Sequence, residues 1–160
     1  MKIQAAVEKL QAKFGASVLE VKEFRGETTV IVKKEEIVAI CNCLKSECGF
    51  SFLTDLCGVD YLGQNPRFMV VYHLCNLTTK ERLRLKVPVA ENDARVDTVT
   101  GVWGTANWHE RECWDLMGIA FNNHPDPRRI LMPADWVGHP LRKDYPLQGP
   151  DRAPYQGRLS

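Results

Sequence analysis

The sequence lacks the features that would carry a chain into or across a membrane. No apolar run among its 160 residues approaches the roughly 18 residues that a bilayer-spanning helix requires. Its first residues do not follow the basic, apolar and small-residue order of a secretory signal. We therefore expect any membrane association to be peripheral or to depend on a partner protein.

The sequence also has little net charge and lacks the common ligand-binding motifs. Lysine and arginine total 21 against 20 aspartates and glutamates, a formal net charge of +1. This balance does not favour nucleic acid or a strongly charged surface as a partner. The glycine-rich motifs of nucleotide-binding proteins and the G-x-S-x-G motif of acyl-transfer enzymes are absent from the sequence. Nucleotide-binding and acyl-transfer sites therefore have no support.

Cysteine is present, but not in a metal-binding pattern. The first four cysteines are spaced C-x-C-x4-C-x8-C, from Cys41 to Cys57. Zinc and iron–sulfur sites usually contain C-x2-C pairs. Cys41 and Cys48 fall on the apolar stripe of a predicted helix, where cysteine packs as a small hydrophobic residue. Without an export signal, we expect all six cysteines to be reduced thiols.

Hydrophobic periodicity predicts an α+β domain over residues 1–121, with helices packed on a mixed or antiparallel sheet. Apolar residues at helical spacing predict helices over residues 3–14 and 34–47. Two β-branched runs, which begin at Val18 and Thr28, predict a hairpin.

Two further strands are predicted later in this domain. Residues 68–77 are apolar almost throughout, as in a central strand that is covered on both faces. Residues 82–89 alternate with a period of two, so one face is buried and the two strands are expected to pair. Residues 50–61 are apolar but irregular, and Gly58 indicates a bulge or a bend there.

Proline separates the C-terminal part of the chain from this domain. Seven of the nine prolines lie between Pro125 and Pro154, which predicts an extended, proline-rich arm over residues 122–160. The arm is too apolar for a solvated linker and needs a surface to lie on. That surface is either its own domain or a partner subunit. The apolar residues at and beyond the start of the arm are Phe121, Ile130, Leu131, Met132, Trp136, Val137, Leu141 and Tyr145.

A third helix begins near Asn107, which is a good N-cap, and Glu110 completes a capping-box pattern. Gly118 can serve as its left-handed C-cap. In helical projection Glu110 falls inside the apolar arc, whereas Asp115 lies on the opposite, polar side with Arg111.

The position of Glu110 leaves two interpretations open, because a buried carboxylate is costly without a partner. In one, Glu110 is buried and paired with an arginine of the arm, which is Arg128, Arg129 or Arg142. In the other, it caps the first helical turn and stays in contact with water.

The same region contains residues that could form a metal or acid–base site. His109 and Cys113 are four residues apart on the helix and could share a metal with His124 or His139. With Glu110 and Glu112, these histidines could make the chain a metal-dependent hydrolase. However, the H-E-x-x-H pattern of metalloproteases is absent from the sequence.

Four motifs follow one another along this stretch: E-R-E-x-x-D from Glu110, G-I-x-F from Gly118, H-P-D-x-R-R-I-L from His124 and G-H-P-L-R-K-D from Gly138. In this order they resemble the 30-kDa subunit family of respiratory complex I, called the C subunit in the bacterial NADH-quinone oxidoreductase. Residues 1–48 carry little of the resemblance. The motif positions that we expect to be structural or interface residues are Glu110, Arg111, Glu112, Asp115, Gly118, His124, Pro125, Arg128, Arg129, Gly138, His139, Pro140, Arg142, Lys143 and Asp144.

Three positions depart from the family pattern. Asn123 stands where glycine is common, and asparagine also tolerates left-handed backbone geometry. Met117 replaces a usual aromatic residue, and Pro127 replaces a more ordinary one. None of the three is a charged motif position.

The resemblance implies a non-redox scaffold subunit with no catalytic, cofactor or metal site of its own. Family members pack in the hydrophilic arm of the complex against the 49-kDa-like subunit (the D-type subunit), which helps to form the quinone site. The complex passes electrons from NADH through FMN and iron–sulfur clusters to quinone, and it pumps protons. The chain would then lie at the cytoplasmic face of the bacterial inner membrane. The equivalent subunit of a membrane-bound hydrogenase, or of a complex with another electron donor, is the alternative.

Overall fold

A mixed five-stranded sheet carries the core in the computed structural model, which describes residues 3–148. The strand order is β1-β2-β5-β4-β3. Neighbouring strands are antiparallel except β2 and β5, which pair in parallel. The strands are β1 (Val18–Phe24), β2 (Glu27–Val32), β3 (Phe52–Asp60), β4 (Phe68–Cys75) and β5 (Arg82–Val89).

Three helices pack with this sheet: α1 (Ile3–Phe14), α2 (Ile37–Ser46) and α3 (Ala106–Met117). Apolar side chains at helical spacing, such as Leu10 of α1 and Ile40 of α2, lie in one hydrophobic core with the strands. A separate two-stranded parallel sheet, made of β6 (Arg95–Asp97) and β7 (Ala120–Asn122), flanks α3. The predicted fold class, helices on a mixed sheet, is confirmed.

The predicted hairpins and strand patterns are also confirmed. β1 and β2 form an antiparallel hairpin whose turn residues Arg25 and Gly26 both have positive φ, at 53° and 79°. Tight two-residue hairpin turns favour this geometry. β4 and β5 pair along their whole length, and inward residues of β5 alternate with partly exposed ones. Cys41 and Cys48 are buried in the core, as predicted.

The structure corrects the prediction of a bulge or bend at Gly58, within residues 50–61. Most of this stretch forms edge strand β3 (Phe52–Asp60), and the register shift lies between Leu53 and Asp55 rather than at Gly58. A Cβ atom at Gly58 would lie 3.1 Å from both Cys113 Sγ and Met117 Cγ. The glycine therefore allows α3 to approach the sheet closely and does not bend the strand.

The start of α3 also differs from the prediction. The helix begins at Ala106 after Thr105, not after Asn107, and the N-cap makes no side-chain hydrogen bond. Its end is as predicted, since Gly118 adopts the left-handed conformation with φ 74°. Asn123 has φ 59°, so it takes the left-handed geometry that the sequence allowed.

The tail, defined as residues 123–148, follows β7 and contains no helix or strand within the described part of the chain. It lies against α3 and the β3–β4 hairpin, to which its hydrogen bonds run. Residues 149–160 of the predicted arm lie outside the described residues. The division at residue 121 and the docking of the arm on a partner stay predictions. Between residues 3 and 148, no helix combines the length and apolarity that a membrane crossing demands.

Candidate functional site

Asp115 is the central anchor of the tail on α3. Its side chain is fully buried. Oδ2 accepts hydrogen bonds from three successive backbone N–H groups, those of Ile130, Leu131 and Met132, at 3.1, 2.8 and 2.8 Å. Oδ1 accepts a fourth hydrogen bond from Arg129 Nη1 at 2.5 Å. One carboxylate thereby fixes four consecutive residues of the tail.

Arg129 extends this anchor further along the tail. Its Nη2 donates to the carbonyl oxygens of Trp136 and Gly138, at 3.0 and 3.2 Å. Its guanidinium carbon lies 5.4 Å from the centre of the Trp114 ring, in a cation–π contact. Burial alone raises the pKa of Asp115, but the N–H groups of Met132, Leu131 and Ile130 and the Arg129 guanidinium outweigh burial and lower that pKa below its ordinary value. Asp115 is therefore a charged anchor.

These contacts correct two predictions. Asp115 does not lie on a solvated side of α3, because the tail covers that side. Glu110 is buried, as one interpretation proposed, but none of the three candidate arginines binds it. The arginine pair belongs to Asp115 and Arg129. Glu110 also does not cap its own helix, because its carboxylate is engaged elsewhere.

Glu110 instead ties α3 to the loop between β6 and α3. Oε1 accepts the backbone N–H of Val99 at 2.8 Å, and Oε2 accepts the Thr98 hydroxyl. Nε2 of His124 lies 3.7 Å from Oε2. Burial raises the pKa of Glu110 to about 7, although the bonds from Thr98 and Val99 oppose that shift.

His124 marks the point where the tail leaves β7. Its ring is almost fully buried. Nδ1 accepts the backbone N–H of Asp126 at 3.0 Å, so the proton of a neutral ring is on Nε2, which lies 3.1 Å from the Asn107 carbonyl oxygen. The side chain thus connects the first turn of α3 to the first turn of the tail.

The last turn of α3 is capped by the tail. A helix leaves its final four carbonyl groups without partners inside the helix, and here each of them receives a donor. Three of the four donors belong to the G-H-P-L-R-K-D motif. The donors, at 2.7–3.0 Å, are Gly118 N for the Trp114 carbonyl, His139 Nδ1 for Asp115, Leu141 N for Leu116 and Arg142 Nε for Met117.

The glycine at the end of α3 makes this cap possible. A Cβ atom at Gly118 would lie 2.6 Å from His139 Cδ2 and 2.7 Å from Arg142 Nη2. Position 118 therefore needs glycine both for its positive φ and for the space that the motif side chains occupy. Burial lowers the pKa of His139, which keeps the ring neutral while it donates from Nδ1.

A second anchor holds the end of the tail at the β3–β4 hairpin. Arg67 is buried and makes a bidentate pair with Asp60, at 2.9 and 2.8 Å. The same guanidinium binds Asp144 at 2.8 Å and Glu91 at 2.5 Å. Asp60 also accepts the backbone N–H of Lys143 at 2.8 Å. The hydrogen bonds from Arg67 lower the pKa values of Asp60 and Asp144, so both carboxylates are charged.

Arg111 completes the attachment on a third side. Its Nε and Nη2 donate to the carbonyl oxygens of Arg128 and Arg129, at 2.9 and 3.2 Å, and its Nη1 lies 3.3 Å from Asp126. The Arg128 side chain is largely exposed and forms a bidentate pair with Asp126. Arg111 therefore secures the tail backbone.

The residues of the alternative metal or acid–base site do not converge. His109 pairs with Asp55 at 3.6 Å, His124 with Glu110, and His139 with the carbonyl at the opposite end of α3. Glu112 is exposed. Within residues 3–148, no group of three or more histidine, cysteine, aspartate or glutamate side chains is arranged to hold a metal ion.

Most motif residues therefore lie along α3 and the tail that covers it, whereas Asp144 joins Arg67 at the β3–β4 hairpin and Glu112 is exposed. Sequence reasoning did not single out Asp60 or Arg67 as site residues, although Asp60 lies in a V-D-Y stretch that weakly resembles the family; Asp60 ends β3 and Arg67 precedes β4. The antiparallel pairing of β3 with β4 brings them together, because Asp60 is paired with Phe68, directly after Arg67. Thr98 and Val99 carried no sequence signal, since a hydroxyl and a backbone N–H in a loop are common.

Comparison with protein families identifies one match. The family described as "Respiratory-chain NADH dehydrogenase, 30 Kd subunit" matches residues 30–151. This similarity begins earlier in the chain than the motifs predicted.

Among the curated relatives that align over almost the whole chain are two that are each named as the C subunit of an NADH-quinone oxidoreductase. The relative from Geotalea uraniireducens is 66% identical over 155 residues, which is 97% of this chain and 94% of that protein. The relative from Geobacter metallireducens is 65% identical over 156 residues, with 97% and 96% covered.

Among the solved structures that share the fold are two that cover most of this chain. One is a trypsin-resistant fragment of Nqo5, with 35% identity, a TM-score of 0.71, and coverage of 79% of this chain and 99% of that one. The other belongs to a membrane-bound sulfane sulfur reductase, an archaeal respiratory membrane complex. It has a TM-score of 0.71 over 95% of both chains and 21% identity, so it shows the fold alone.

Proposed function

Because the chain belongs to the respiratory-chain NADH dehydrogenase 30-kDa subunit family, we propose that it is a non-redox scaffold subunit in the hydrophilic arm of proton-pumping NADH:quinone oxidoreductase. The observation that carries this proposal is the use of the motif charges. Asp115, Arg129, Arg111 and Asp144 all hold the tail against the domain. Charges used for internal anchoring build a rigid surface, which is what a scaffold needs.

The proposed role is to support the neighbouring 49-kDa-like subunit while electrons pass from NADH to quinone. FMN, the iron–sulfur clusters and quinone are held by other subunits in this proposal. The protonation of two thiols supports the absence of a cluster in this chain, because burial raises the pKa values of Cys41 and Cys113 well above the ordinary value. Cluster ligands are thiolates, which a raised pKa disfavours. The chain attaches to the cytoplasmic face of the inner membrane through the complex.

A second candidate function is the equivalent role in a complex with a different electron donor, such as a membrane-bound hydrogenase. This second candidate is supported by the fold that the chain shares with a chain of the membrane-bound sulfane sulfur reductase. In both candidates the electron donor is set by other subunits.

Affinity purification of the tagged chain from its native membranes in mild detergent tests the first proposal. We expect the 49-kDa-like subunit and the NADH-oxidising subunits to be recovered with it, together with NADH:quinone activity. Recovery with hydrogenase subunits would select the second candidate. Recovery of the chain alone would contradict both.

Partner docking of the predicted arm has a separate test. Trypsin should cut within residues 122–160 in the lone chain, and the 49-kDa-like subunit should protect them. The similarity of this chain to a trypsin-resistant fragment of Nqo5, over 79% of its length, supports the idea that part of the chain lies outside a resistant core. Equal digestion with and without the partner would count against docking.

The distant alternative, a metal-dependent hydrolase, is tested by metal analysis of the purified chain. A tightly bound stoichiometric metal, together with hydrolytic activity in the isolated chain, would overturn the scaffold proposal. We expect neither, because the histidines are held by separate partners along α3.

A further inference from the structure

An apolar groove lies between the first half of α3 and the middle of the tail. Its volume is about 470 Å³. Its apolar wall consists of Trp108 from α3 and of Ile130 and Leu131 from the tail. Trp108 is 70% exposed and Leu131 is 58% exposed. Large apolar side chains that cluster at a surface mark an interaction site more often than isolated ones do.

This wall is rigid because its backbone is anchored from behind. The N–H groups of Ile130, Leu131 and Met132 all bind the Asp115 carboxylate. Arg111 holds the preceding carbonyl groups of the same segment. The Ile130 and Leu131 side chains are therefore exposed on a segment that is already ordered. A surface ordered in advance loses little conformational entropy when a partner binds.

The charge beside the groove is acidic. Glu112 lines the groove and also lines an adjoining cleft, where Asp55 is the second carboxylate. Both carboxylates are exposed, and His109, which also lines the groove, lies 3.6 Å from Asp55. Among the described residues, no lysine or arginine lines the groove or the cleft. Charge complementarity therefore calls for a cationic partner.

We propose that this groove is the docking site for a segment of a neighbouring subunit, one that places an aliphatic or aromatic side chain beside a lysine or arginine. The apolar side chain packs between Trp108 and Leu131. The cation lies next to Glu112 and Asp55. This inference rests on the proposed function, since it requires a neighbouring subunit, and it adds where that subunit binds and with what chemistry.

Site-specific photocrosslinking in the assembled complex identifies the occupant. p-Benzoylphenylalanine in place of Leu131 is expected to form an adduct with another subunit, at a segment with a lysine or arginine within a few residues. The same amino acid in place of Phe24, which is 70% exposed on the β1–β2 hairpin, is the matched control and is expected to miss that segment. The inference would be overturned if adducts formed only within this chain, its residues 149–160 included. It would also be overturned if they formed only with a second copy of the chain. The absence of any adduct in complex that contains the chain would overturn it as well.

Binding measurements test the charge. We expect Glu112→Lys to weaken the affinity of the chain for the rest of the purified hydrophilic arm at least about tenfold, and Glu112→Asp to retain it. Glu23→Lys, on exposed strand β1, is the matched reversal and is expected to leave the affinity unchanged. The unfolding midpoint of the isolated Glu112→Lys chain should equal that of the wild type.

The two proposals fail in different ways. Tight binding by the wild type and equally tight binding by Glu112→Lys and Leu131→Asp would overturn the groove alone. Absence of binding by the wild-type chain would overturn the proposed function, and the groove proposal with it.

Discussion

Replacing Asp115 with asparagine should detach the tail while leaving the sheet folded. The substitution keeps the size of the side chain but removes the charge that Arg129 Nη1 contacts. The asparagine amide also turns an N–H₂ group toward one set of existing donors, either the Arg129 guanidinium or the three backbone N–H groups. Two donors that face each other in a buried site have no acceptor to share.

The size of the effect follows from the number and burial of these bonds. Each hydrogen bond to a charged group contributes roughly 1.5–3 kcal/mol, and breaking a buried pair by removing one partner costs about 3–5 kcal/mol. The energies of the four contacts of Asp115 cannot be summed, because the tail can undock and its donors can then bind water. The free energy of tail docking is therefore the upper limit on what Asp115→Asn can remove. We expect Asp115→Asn to reduce it by about 3 kcal/mol, which is about a hundredfold in the opening equilibrium.

Native-state proteolysis measures that equilibrium directly. When opening and closing are fast, the cleavage rate tracks the population of the open form. Trypsin cleavage after tail residues such as Arg128 should therefore accelerate about a hundredfold in Asp115→Asn. Glu112→Gln removes an exposed carboxylate from the same helix and is expected to cleave at the wild-type rate. Equal cleavage rates in Asp115→Asn and the wild type would refute the anchoring role of Asp115.

The pH dependence gives a second measurement of the same anchor. The pKa of Asp115 is lowered in the folded chain from an ordinary value of 3.8. A depressed carboxyl pKa contributes stability that is fully present above pH 3.8 and is lost as the pH falls through the lower folded pKa. Acid should therefore release the tail, and Asp115→Asn should lack this part of the acid transition.

Three other substitutions have defined outcomes. The pKa of Glu110 is raised from 4.5 to about 7, so the unfolding free energy of the wild type should fall by up to about 3 kcal/mol as the pH rises from 4.5 to 7. Urea unfolding at a series of pH values measures this fall, which Glu110→Gln should lack. Gly118→Ala should lower the unfolding free energy, measured in urea, by about 2–3 kcal/mol, because residue 118 has a positive φ and an added Cβ would overlap the tail. Gly101→Ala is the control and should lower it by less than about 1 kcal/mol, because the space around Gly101 is open. Arg67→Met should cost about 3–5 kcal/mol in the unfolding free energy because it leaves buried Asp60 without its cation, and exposed Arg82→Met should stay within about 0.5 kcal/mol. If Glu110→Gln, Gly118→Ala or Arg67→Met unfolded as the wild type does, the role assigned to that residue would be contradicted.

Elements with a clear hydrophobic period were predictable. The stripe on α2 and the alternation along β5 each place one apolar face toward a single core, and both predictions are confirmed. The β3 strand was not predicted, because it is an edge strand covered on one side by α3 and its burial does not alternate. Contact with the helix there calls for the small residue Gly58 in place of a large apolar one.

The candidate site was predictable in its residues but not in its pairing. Helical projection locates Glu110 and Asp115 on the surface of α3, but it assumes that only one side of the helix is buried. Here the β6 loop covers Glu110 and the tail covers Asp115, so each carboxylate is buried by a different neighbour. Which arginine meets which carboxylate depends on the path of an irregular segment. Periodicity carries no information about that path.

The capping of α3 by the tail has a consequence for biosynthesis. The donors for the Leu116 and Met117 carbonyls come from Leu141 and Arg142, which the ribosome adds about 25 residues after those acceptors. Until these residues are added, the Leu116 and Met117 carbonyls lack these donors, and Arg67 lacks its Asp144 partner. The wall of Ile130 and Leu131 is anchored earlier, because its partners Asp115 and Arg111 precede it in the chain. The tail contacts therefore become available in order along the chain, and the attachment to Arg67 is complete only once residue 144 has been added.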